Sequence, residues 1–429
     1  MKMRLKPVKI LIFISVFSVL LYGLKAFLSI YLDPFGGTQW NQFKRKDHEA
    51  QVFKEKLEVE HILKRSQNCS NYFETLAALI YKLPPDQLID VKKYKNSKQN
   101  YAKSNSMAVS YVIHNNPGLF EILFHVMFRP YNNYCIIIDP KSSKMLKLTL
   151  KSIIKCYQET FPKTNIIIAN WTMPIYYFTT TGYSSLNADL TCLELLYHSS
   201  SNWKYHINVA GTELPMYNLD DFSAMLNKKN IPYSVGSEYV PQFMRERWTY
   251  KYVEETGSNS WDYLQPVPLN LTLFKGQRGV ILSRNFTKFI LEDSVSKSFR
   301  KWIKDTAVPE ESYLQTLVRI TKINKKGSKI IKVEQNFDKS FDTTYDACLR
   351  FAKWSSYYWS NYQKCHGVYI RLVCHLALED YNEILEDFAI ARNDPNNIAC
   401  FMLNKFNLEV DLRPVLYLAR LHSPILKGF

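Results

Sequence analysis

Short apolar runs alternate with amphipathic helical patterns from residue 107 onward, and this alternation limits the fold more than any other feature of the sequence. The strand-like runs are 108–114, 134–139, 165–168 and 203–211. Strands that alternate with helices predict an α/β fold with a mostly parallel sheet. Such sheets bind nucleotides at the carboxyl ends of their strands. The sequence contains neither GxGxxG nor GxxxxGK[ST], so it gives no support to a dinucleotide site or a P-loop.

The chain has 429 residues and a formal net charge of +16, from 55 Lys and Arg against 39 Asp and Glu. This balance suits three kinds of partner: nucleic acid, an anionic membrane or a small anionic substrate. The basic residues are scattered, and no zinc-finger, helix-turn-helix or single-strand-binding pattern accompanies them. We therefore expect a phosphate site and no nucleic-acid partner.

An apolar segment at 10–32, interrupted only by Lys25, follows a basic N-terminal end. As a helix it would be about 34 Å long, which is enough to span a bilayer, and the positive charges would keep residues 1–9 in the cytosol. A cleaved signal peptide is the alternative, but no clear small-x-small cleavage site follows. The sequence thus predicts a type II signal anchor, a polar lumenal stem at 33–106 that contributes little to a core, and a globular domain at 107–429.

All eight cysteines follow this segment, and none lies in a CxxC or Cys/His zinc pattern. We therefore expect disulfides formed in an oxidising lumen rather than a metal site, although sequence alone cannot choose the pairs. Asn170 and Asn270 lie in sequons and are the predicted N-glycosylation acceptors. The sequons at Asn68 and Asn285 are less favourable, because one adjoins Cys69 and the other lies in a packed segment.

Residues 309–311, Pro-Glu-Glu, begin a predicted helix with Leu314 and Leu317 on one face. Acidic residues in a first turn often do no more than complement the helix dipole. The same dipole would also keep a carboxylate deprotonated at neutral pH, which suits a general base. The pattern alone leaves both roles open for Glu310 and Glu311.

The segment from 275 to 320 resembles successive motifs of the core-2/I-branching β-1,6-N-acetylglucosaminyltransferases. These motifs are Lys-Gly at 275–276, Ser-Arg-x-Phe at 283–286 and a Pro-Asp-Glu-His stretch that reads Pro-Glu-Glu-Ser at 309–312. The resemblance implies that Glu311 is the catalytic base, with Glu310 in place of the usual Asp. It extends over 108–406 and implies a GT-A-type nucleotide-sugar transferase fold, a Rossmann-like mixed sheet, with 107–429 as the catalytic domain.

On the donor side, the same resemblance matches Asp139 to the position where the uridine nucleotide binds. It matches Arg371, in 367–374, and Lys405, in 404–406, to the Arg and Lys that take the place of a metal at the diphosphate. The chain contains no Asp-x-Asp motif, so we expect no metal and no cofactor besides the UDP-sugar co-substrate.

On the acceptor side, Arg247 in an Arg-Glu-Arg-Trp stretch matches the family's acceptor-binding Arg, and Trp354 matches an acceptor-stacking Trp. Glu238 lies near the position of the acceptor Glu, which is Gly236 here. The resemblance also implies two disulfides, Cys365–Cys374 and Cys135–Cys192.

For the four remaining cysteines we favour the pairs Cys69–Cys400 and Cys156–Cys348. With Cys365 and Cys374 bonded, their Cα atoms should lie about 4.4–6.8 Å apart.

The resemblance implies an inverting transferase in the Golgi membrane that moves a sugar from a UDP-sugar to a GalNAc- or Gal-containing O-glycan. N-acetylglucosamine in β-1,6 linkage is the default product, while glucose or xylose transfer remains open. A non-catalytic lumenal glycan-binding protein on the same fold is the competing class. A homodimer is also left open.

Overall fold

A computed structural model describes residues 54–81, 106–176, 181–325, 328–333, 348–355, 364–392 and 400–422. Within these ranges, no helix combines the length and apolar character that a membrane span requires. The predicted anchor at 10–32 lies outside them, so it stays a prediction, as do the stem and domain boundaries.

The helices of the described part are α1 Val59–Ser66, α2 Cys69–Tyr81, α3 Pro117–Met127, α4 Lys144–Thr160, α5 Tyr183–Ser199, α6 Leu219–Lys229, α7 Arg284–Glu292, α8 Ser294–Trp302, α9 Tyr313–Leu317, α10 Leu378–Arg392 and α11 Arg413–His422. Its strands are β1 Met107–Ile113, β2 Asn133–Ile138, β3 Asn165–Ile168, β4 Tyr205–Ala210, β5 Glu213–Pro215, β6 Tyr233–Val235, β7 Glu238–Tyr239, β8 Tyr250–Val253, β9 Ser258–Tyr263, β10 Phe274–Lys275, β11 Val280–Ser283, β12 Ile320–Lys325, β13 Ser328–Val333, β14 Cys348–Ala352, β15 Val368–Ile370, β16 Val373–His375 and β17 Cys400–Asn404.

The central sheet has six strands in the order β3-β2-β1-β4-β11-β6. Strands β3, β2, β1 and β4 run parallel, and β11 runs antiparallel to its neighbours β4 and β6. The predicted α/β fold with a mostly parallel sheet is therefore confirmed. Every residue of β1 and β2 is buried, as expected for strands that helices cover on both faces.

The two faces of the sheet belong to different cores, because successive side chains of a strand point to opposite sides. Tyr111 of β1 packs against Phe120 and Phe124 of α3 on one face. Val112 of β1 and Cys192 of α5 belong to the core on the other face. This two-sided packing fixes the carboxyl ends of the parallel strands as one rigid edge.

Helices α1 and α2 lie in the stretch 33–106, and the prediction that little of this stretch contributes to a core is wrong. Tyr72, Leu76 and Ile80 are fully buried and belong to the same core as α3 and α4. Their spacing of four residues is the pattern of an amphipathic helix. The many charges of the surrounding sequence obscured it.

Two predicted disulfides are confirmed. Cys365 and Cys374 are bonded with Cα atoms 5.8 Å apart, which lies inside the predicted window. Cys135 of β2 and Cys192 of α5 are bonded with Cα atoms 5.5 Å apart, and this bond ties a helix to the central sheet.

The other two predicted pairs are wrong, since the structure bonds Cys69 to Cys156 and Cys348 to Cys400. Cys69 begins α2, and α2 packs on α4, which carries Cys156. Cys348 and Cys400 are register partners on the adjacent strands β14 and β17. Their Cα separations are 4.7 and 4.3 Å, respectively.

The two predicted glycosylation acceptors, Asn170 and Asn270, are both exposed. Asn170 follows β3, and Asn270 ends the short 3₁₀ turn Pro268–Asn270. Their modification stays a prediction.

If α2 is part of the core, then Leu76→Ala should lower the free energy of unfolding by about 2–5 kcal/mol, because it leaves a cavity in a packed interior. Glu74→Ala on the exposed face of the same helix is the matched control and should change it by less than about 0.5 kcal/mol. Urea unfolding of the purified protein measures both. Equal effects would mean that α2 is not packed as described.

Candidate active site

Two predicted donor-side residues, Asp139 and Lys405, lie near the carboxyl ends of β1 and β2. Asp139 follows β2, is buried, and accepts backbone hydrogen bonds from Lys141 at 3.0 Å and Ile175 at 3.4 Å. His114 follows β1, and its pKa is lowered to about 4 by burial and by the charge of Lys405, against an opposing effect of Asp139. Lys405 lies close to this edge of the sheet, because its neighbour Phe406 donates its backbone N–H at 2.8 Å to the carbonyl of Thr212, just after β4.

Lys405 follows β17, and its pKa is lowered by burial and by the nearby charge of Arg371, while Glu213 opposes the shift. The Lys405 carbonyl accepts a hydrogen bond at 2.9 Å from Leu376, just after the β15–β16 hairpin, so the structure brings together the two cations that the sequence motifs assign to the diphosphate. A pair of cations held at short range makes a region of positive potential that suits a polyanion.

Arg371 lies in the two-residue turn between β15 and β16, where it has φ 49° and Leu372 has φ 68°. Two successive positive φ values are typical of a type I′ turn, which favours Asn and Gly. A non-glycine residue in this region is uncommon and costs about 1–2 kcal/mol. The turn therefore fixes the backbone at Arg371 at some cost in stability.

A buried carboxylate supports this hairpin. Asp380 of α10 accepts hydrogen bonds from the backbone amides of His366, Gly367 and Ala377 at 3.0, 2.9 and 3.0 Å and from Lys353 Nζ at 2.9 Å. The bond from Ala377 resembles one half of a capping box. Only glycine fits at 367, because a Cβ there would lie 1.8 Å from a backbone oxygen.

Two groups of potential metal ligands occur among the described residues, and both contain Asp380. In one group the other two ligands are Cys365 and Cys374, which are bonded to each other. In the other group the Lys353 ammonium lies 2.9 Å from both Asp380 and Glu383, which places a positive charge where a cation would bind. Neither group therefore suits a metal ion.

Glu311 lies at the end of the 3₁₀ turn Pro309–Glu311, and helix α9 begins only at Tyr313. Pro309 therefore begins a short 3₁₀ turn rather than the predicted helix, which starts four residues later. Glu311 Oε2 accepts a hydrogen bond from Arg247 Nη1 at 2.8 Å. The Glu311 side chain keeps 35% of its surface exposed, so a ligand can reach it.

The predicted acceptor residue Glu238 and the Lys275-Gly276 motif lie near Glu311. Glu238 of β7 forms an ion pair with Lys275 of β10, its register partner. The next residue, Gly276, donates its backbone N–H to the Glu311 carbonyl at 2.8 Å. A Cβ at Gly276 would lie 1.8 Å from the Gly236 oxygen, so the family's Lys-Gly motif has a steric basis here.

Trp354 lies on the donor side of this arrangement. It forms an isolated bridge with Val373 of β16, and Ser355 N donates to Leu372 O at 2.8 Å. Its side chain is 43% exposed. These contacts put Trp354 beside the Arg371 turn, whereas Arg247 and Glu238 lie beside Glu311.

Arg278 joins the two halves of the site, and sequence reasoning missed it. Its guanidinium binds Asp189 through Nε at 2.9 Å and Nη2 at 3.0 Å. Its charge lowers the pKa of both His114 and Glu310, so it lies between the donor side and the Glu311 turn. His114 was also missed, although its position directly after the first parallel strand could have identified it. No local sequence signal marks Arg278.

Glu310 has an environment quite different from that of its neighbour Glu311. Its side chain is buried and accepts a hydrogen bond from the Thr181 hydroxyl. Its Oε2 is buried without a hydrogen-bond partner among the described residues. Burial raises its pKa from 4.5 to about 7, while Arg278 opposes the shift.

Comparison with known proteins identifies a matching family model and similar relatives. A family model described as Core-2/I-Branching enzyme matches residues 107–385. The chain is 31% identical over 312 residues to the Homo sapiens β-1,3-galactosyl-O-glycosyl-glycoprotein β-1,6-N-acetylglucosaminyltransferase 3, covering 71% of this chain and 65% of the relative. The Ovis aries protein of the same name is 31% identical over 311 residues, covering 71% and 64%. The match thus spans just under two thirds of the length of these relatives.

Among solved structures, mouse xyloside xylosyltransferase 1 matches with a TM-score of 0.26 and 9% identity, over 49% of this chain and 81% of that chain. A likeness this weak does not characterise the fold further.

The raised pKa of Glu310 predicts a pH-dependent stability. Because the folded state holds this proton more tightly than the unfolded state, the free energy of unfolding should fall between pH 4.5 and about 7 and then level off. Glu310→Gln removes the ionisation and keeps an oxygen for Thr181. Relative to the unsubstituted protein, it should gain little at pH 4 and up to about 3 kcal/mol at pH 8.

Urea unfolding at both pH values measures this difference. Glu194→Gln, an exposed glutamate of α5, is the control and should show no such pH dependence. A gain for Glu310→Gln that is the same at pH 4 and pH 8 would contradict the buried, protonated state.

Proposed function

Since the chain belongs to the core-2/I-branching enzyme family, we propose that it is an inverting glycosyltransferase with a UDP-sugar donor. The proposed reaction transfers N-acetylglucosamine to the 6-hydroxyl of a GalNAc or Gal residue in an O-glycan, with a β linkage. The relatives' printed names describe β-1,6-N-acetylglucosaminyltransferases, which supports this donor and linkage. The GT-A-type fold is part of the same proposal.

Glu311 would act as the general base. Its carboxylate takes the proton of the acceptor hydroxyl as that oxygen bonds to the anomeric carbon, and the bond from this carbon to the UDP oxygen breaks. One displacement inverts the anomeric configuration. The ion pair with Arg247 at 2.8 Å orients the Glu311 carboxylate before the acceptor enters.

Arg371 and Lys405 would stabilise the negative charge that develops on the departing UDP. Lys405 provides a compact charge, and Arg371 can engage two phosphate oxygens at once. The single observation that carries the proposal is the closeness of these two cations. The Lys405 carbonyl accepts a hydrogen bond at 2.9 Å from Leu376, which directly follows the β15–β16 hairpin whose turn carries Arg371. A bound diphosphate would relieve their repulsion.

A non-catalytic glycan-binding protein on this fold needs neither an exposed carboxylate nor a pair of cations. Because Glu311, Arg371 and Lys405 are all present and the carboxylate is accessible, we favour catalysis. The donor sugar rests on the family alone, so glucose and xylose are tested beside N-acetylglucosamine. The Golgi location, the type II anchor and a homodimer are also proposals.

If Glu311 is the base, Glu311→Gln should lower kcat by about a hundredfold to ten-thousandfold, while UDP binding and the fold persist. Radiolabelled transfer measures turnover, and calorimetric titration with UDP measures binding. Glu238→Gln is a comparison, since Glu238 is also a carboxylate on the acceptor side and should act mainly on the acceptor KM. Activity within a few-fold of the unsubstituted enzyme would move the role elsewhere, with Glu310 as the first candidate.

Arg371→Gly should lower kcat/KM for the donor by roughly 10- to 150-fold, the value of a charge-assisted hydrogen bond. Leu372→Gly is the matched control, because it introduces glycine at the adjacent positive-φ position of the same turn and leaves the charge. Both should preserve the fold, since glycine suits these φ values. Equal losses of activity in the two variants would assign the effect to the turn, not to the guanidinium.

Lys405→Ala should likewise weaken binding of the UDP-sugar, with smaller effects on acceptor affinity. If side chains hold the phosphates, activity should persist in EDTA. Loss of activity in EDTA that Mn²⁺ restores would refute the metal-free mechanism.

A further inference from the structure

The hairpin formed by β8 and β9 exposes aromatic side chains that the proposed reaction does not use. Trp261 is 96% exposed and Tyr263 is 68% exposed. The ring of Tyr263 lies against that of Tyr250, with centroids 4.9 Å apart. Large aromatic groups at this level of exposure are unusual on a protein surface and commonly mark a binding site.

The strand pairing brings Trp261 out of the ladder. Tyr250 pairs with Tyr263 and Tyr252 pairs with Asn259, so three residues of β9 lie opposite Lys251 alone. This irregularity is a β-bulge, a feature that often redirects a side chain near a functional site. Trp261 is the middle residue of the three.

The hairpin is fixed to the acceptor side of the site. It begins at Tyr250, three residues after Arg247, which binds Glu311. The Cα atoms of Arg247 and Tyr250 therefore lie within about 11 Å of each other. At the far end of β8, Glu254 accepts hydrogen bonds from the Ser184 amide at 3.0 and 3.2 Å. The hairpin therefore begins close to the residue that binds Glu311.

We propose that Trp261, Tyr263 and Tyr250 form a second carbohydrate subsite, which binds a neutral sugar of the acceptor outside the residue that receives the transfer. This inference rests on the proposed function, because it takes the acceptor to be a glycan. Aromatic rings offer a flat apolar face to the C–H face of a sugar, and neighbouring polar side chains can hydrogen-bond its hydroxyls.

The residues around Trp261 favour a sugar over the other possible occupants. The neighbours on β9 are polar, namely Ser258, Asn259, Ser260 and Asp262. A hairpin that binds an anionic membrane surface would carry Lys and Arg around its aromatic residues. This hairpin instead carries three acidic residues, Glu254, Glu255 and Asp262, and a single basic residue, Lys251. A protein interface of useful strength would need a larger apolar core than three rings.

The test compares Trp261→Ala with Trp261→Phe, which keeps a ring. Leu148→Ala on α4 is the control, because it removes another exposed apolar side chain from a remote helix. Initial rates are measured with UDP-N-acetylglucosamine and two acceptors: a Gal–GalNAc disaccharide, and a glycopeptide that carries several copies of it. Saturation-transfer NMR with the glycopeptide, without donor, measures sugar binding directly.

Trp261→Ala should raise KM for the glycopeptide by about three- to tenfold and leave kcat and the disaccharide KM unchanged. It should also reduce saturation transfer to the sugar protons, and Trp261→Phe should retain most of both. If no donor supports transfer but the NMR response depends on Trp261, the proposed function fails and the subsite stands.

Four results from the activity and binding assays would overturn the subsite. They are no change in Trp261→Ala, an equal change for both acceptors, competition by the unglycosylated peptide, or a loss of binding to phosphatidylserine vesicles in Trp261→Ala. A change in sedimentation between Trp261→Ala and the unsubstituted protein would overturn it as well, in favour of contact between two copies of the chain.

Discussion

Lys405 and Arg371 are held close together although their charges repel each other, and much of the C-terminal part of the chain supports this contact. Strand β17, which leads to Lys405, is bonded to β14 through Cys348–Cys400 and pairs with β5 on its other side. Arg350 of β14 forms a buried ion pair with Glu213 of β5, and Glu213 is the anion that opposes the lowered pKa of Lys405. The support is therefore both covalent and electrostatic.

The second cation has a separate support. The disulfide Cys365–Cys374 supports the base of the hairpin that carries Arg371. Asp380 supports it as well, because its carboxylate accepts hydrogen bonds from three backbone amides and from the Lys353 ammonium. A buried carboxylate is stable only when its hydrogen-bonding capacity is met, and here it is. The two elements also meet directly, since Leu376 N donates to the Lys405 carbonyl at 2.9 Å, and together they oppose the repulsion between the two cations. Preorganised charge of this kind reduces the reorganisation needed at the moment of reaction.

The family's motifs point to several segments that the structure brings together around Glu311, because each motif marks its own segment without requiring knowledge of which segments meet. Gly276 contacts Glu311 through its backbone and Arg247 contacts it through its side chain, although the motifs lie apart in sequence. What could not be predicted depends on pairing between distant segments. The partners of Cys69 and Cys348 follow from the packing of α2 on α4 and from the pairing of β14 with β17, and neither leaves a local signal in the sequence. The burial of Glu310 is of the same kind, since Thr181 lies far away in sequence.

The turn that carries Glu311 shows how a carboxylate can be positioned without a long helix behind it. Val308, just before the turn, has φ 51°, which is a true outlier for a β-branched residue. Its amide donates to the Thr181 carbonyl at 2.8 Å, and the Thr181 hydroxyl binds Glu310. Gln315 Nε2 donates to the Glu310 carbonyl at 3.3 Å from the other side. Strained backbone persists where its surroundings over-determine it, and such places cluster at active sites. The strain at Val308 is therefore consistent with a turn shaped to present Glu311 rather than to continue a helix.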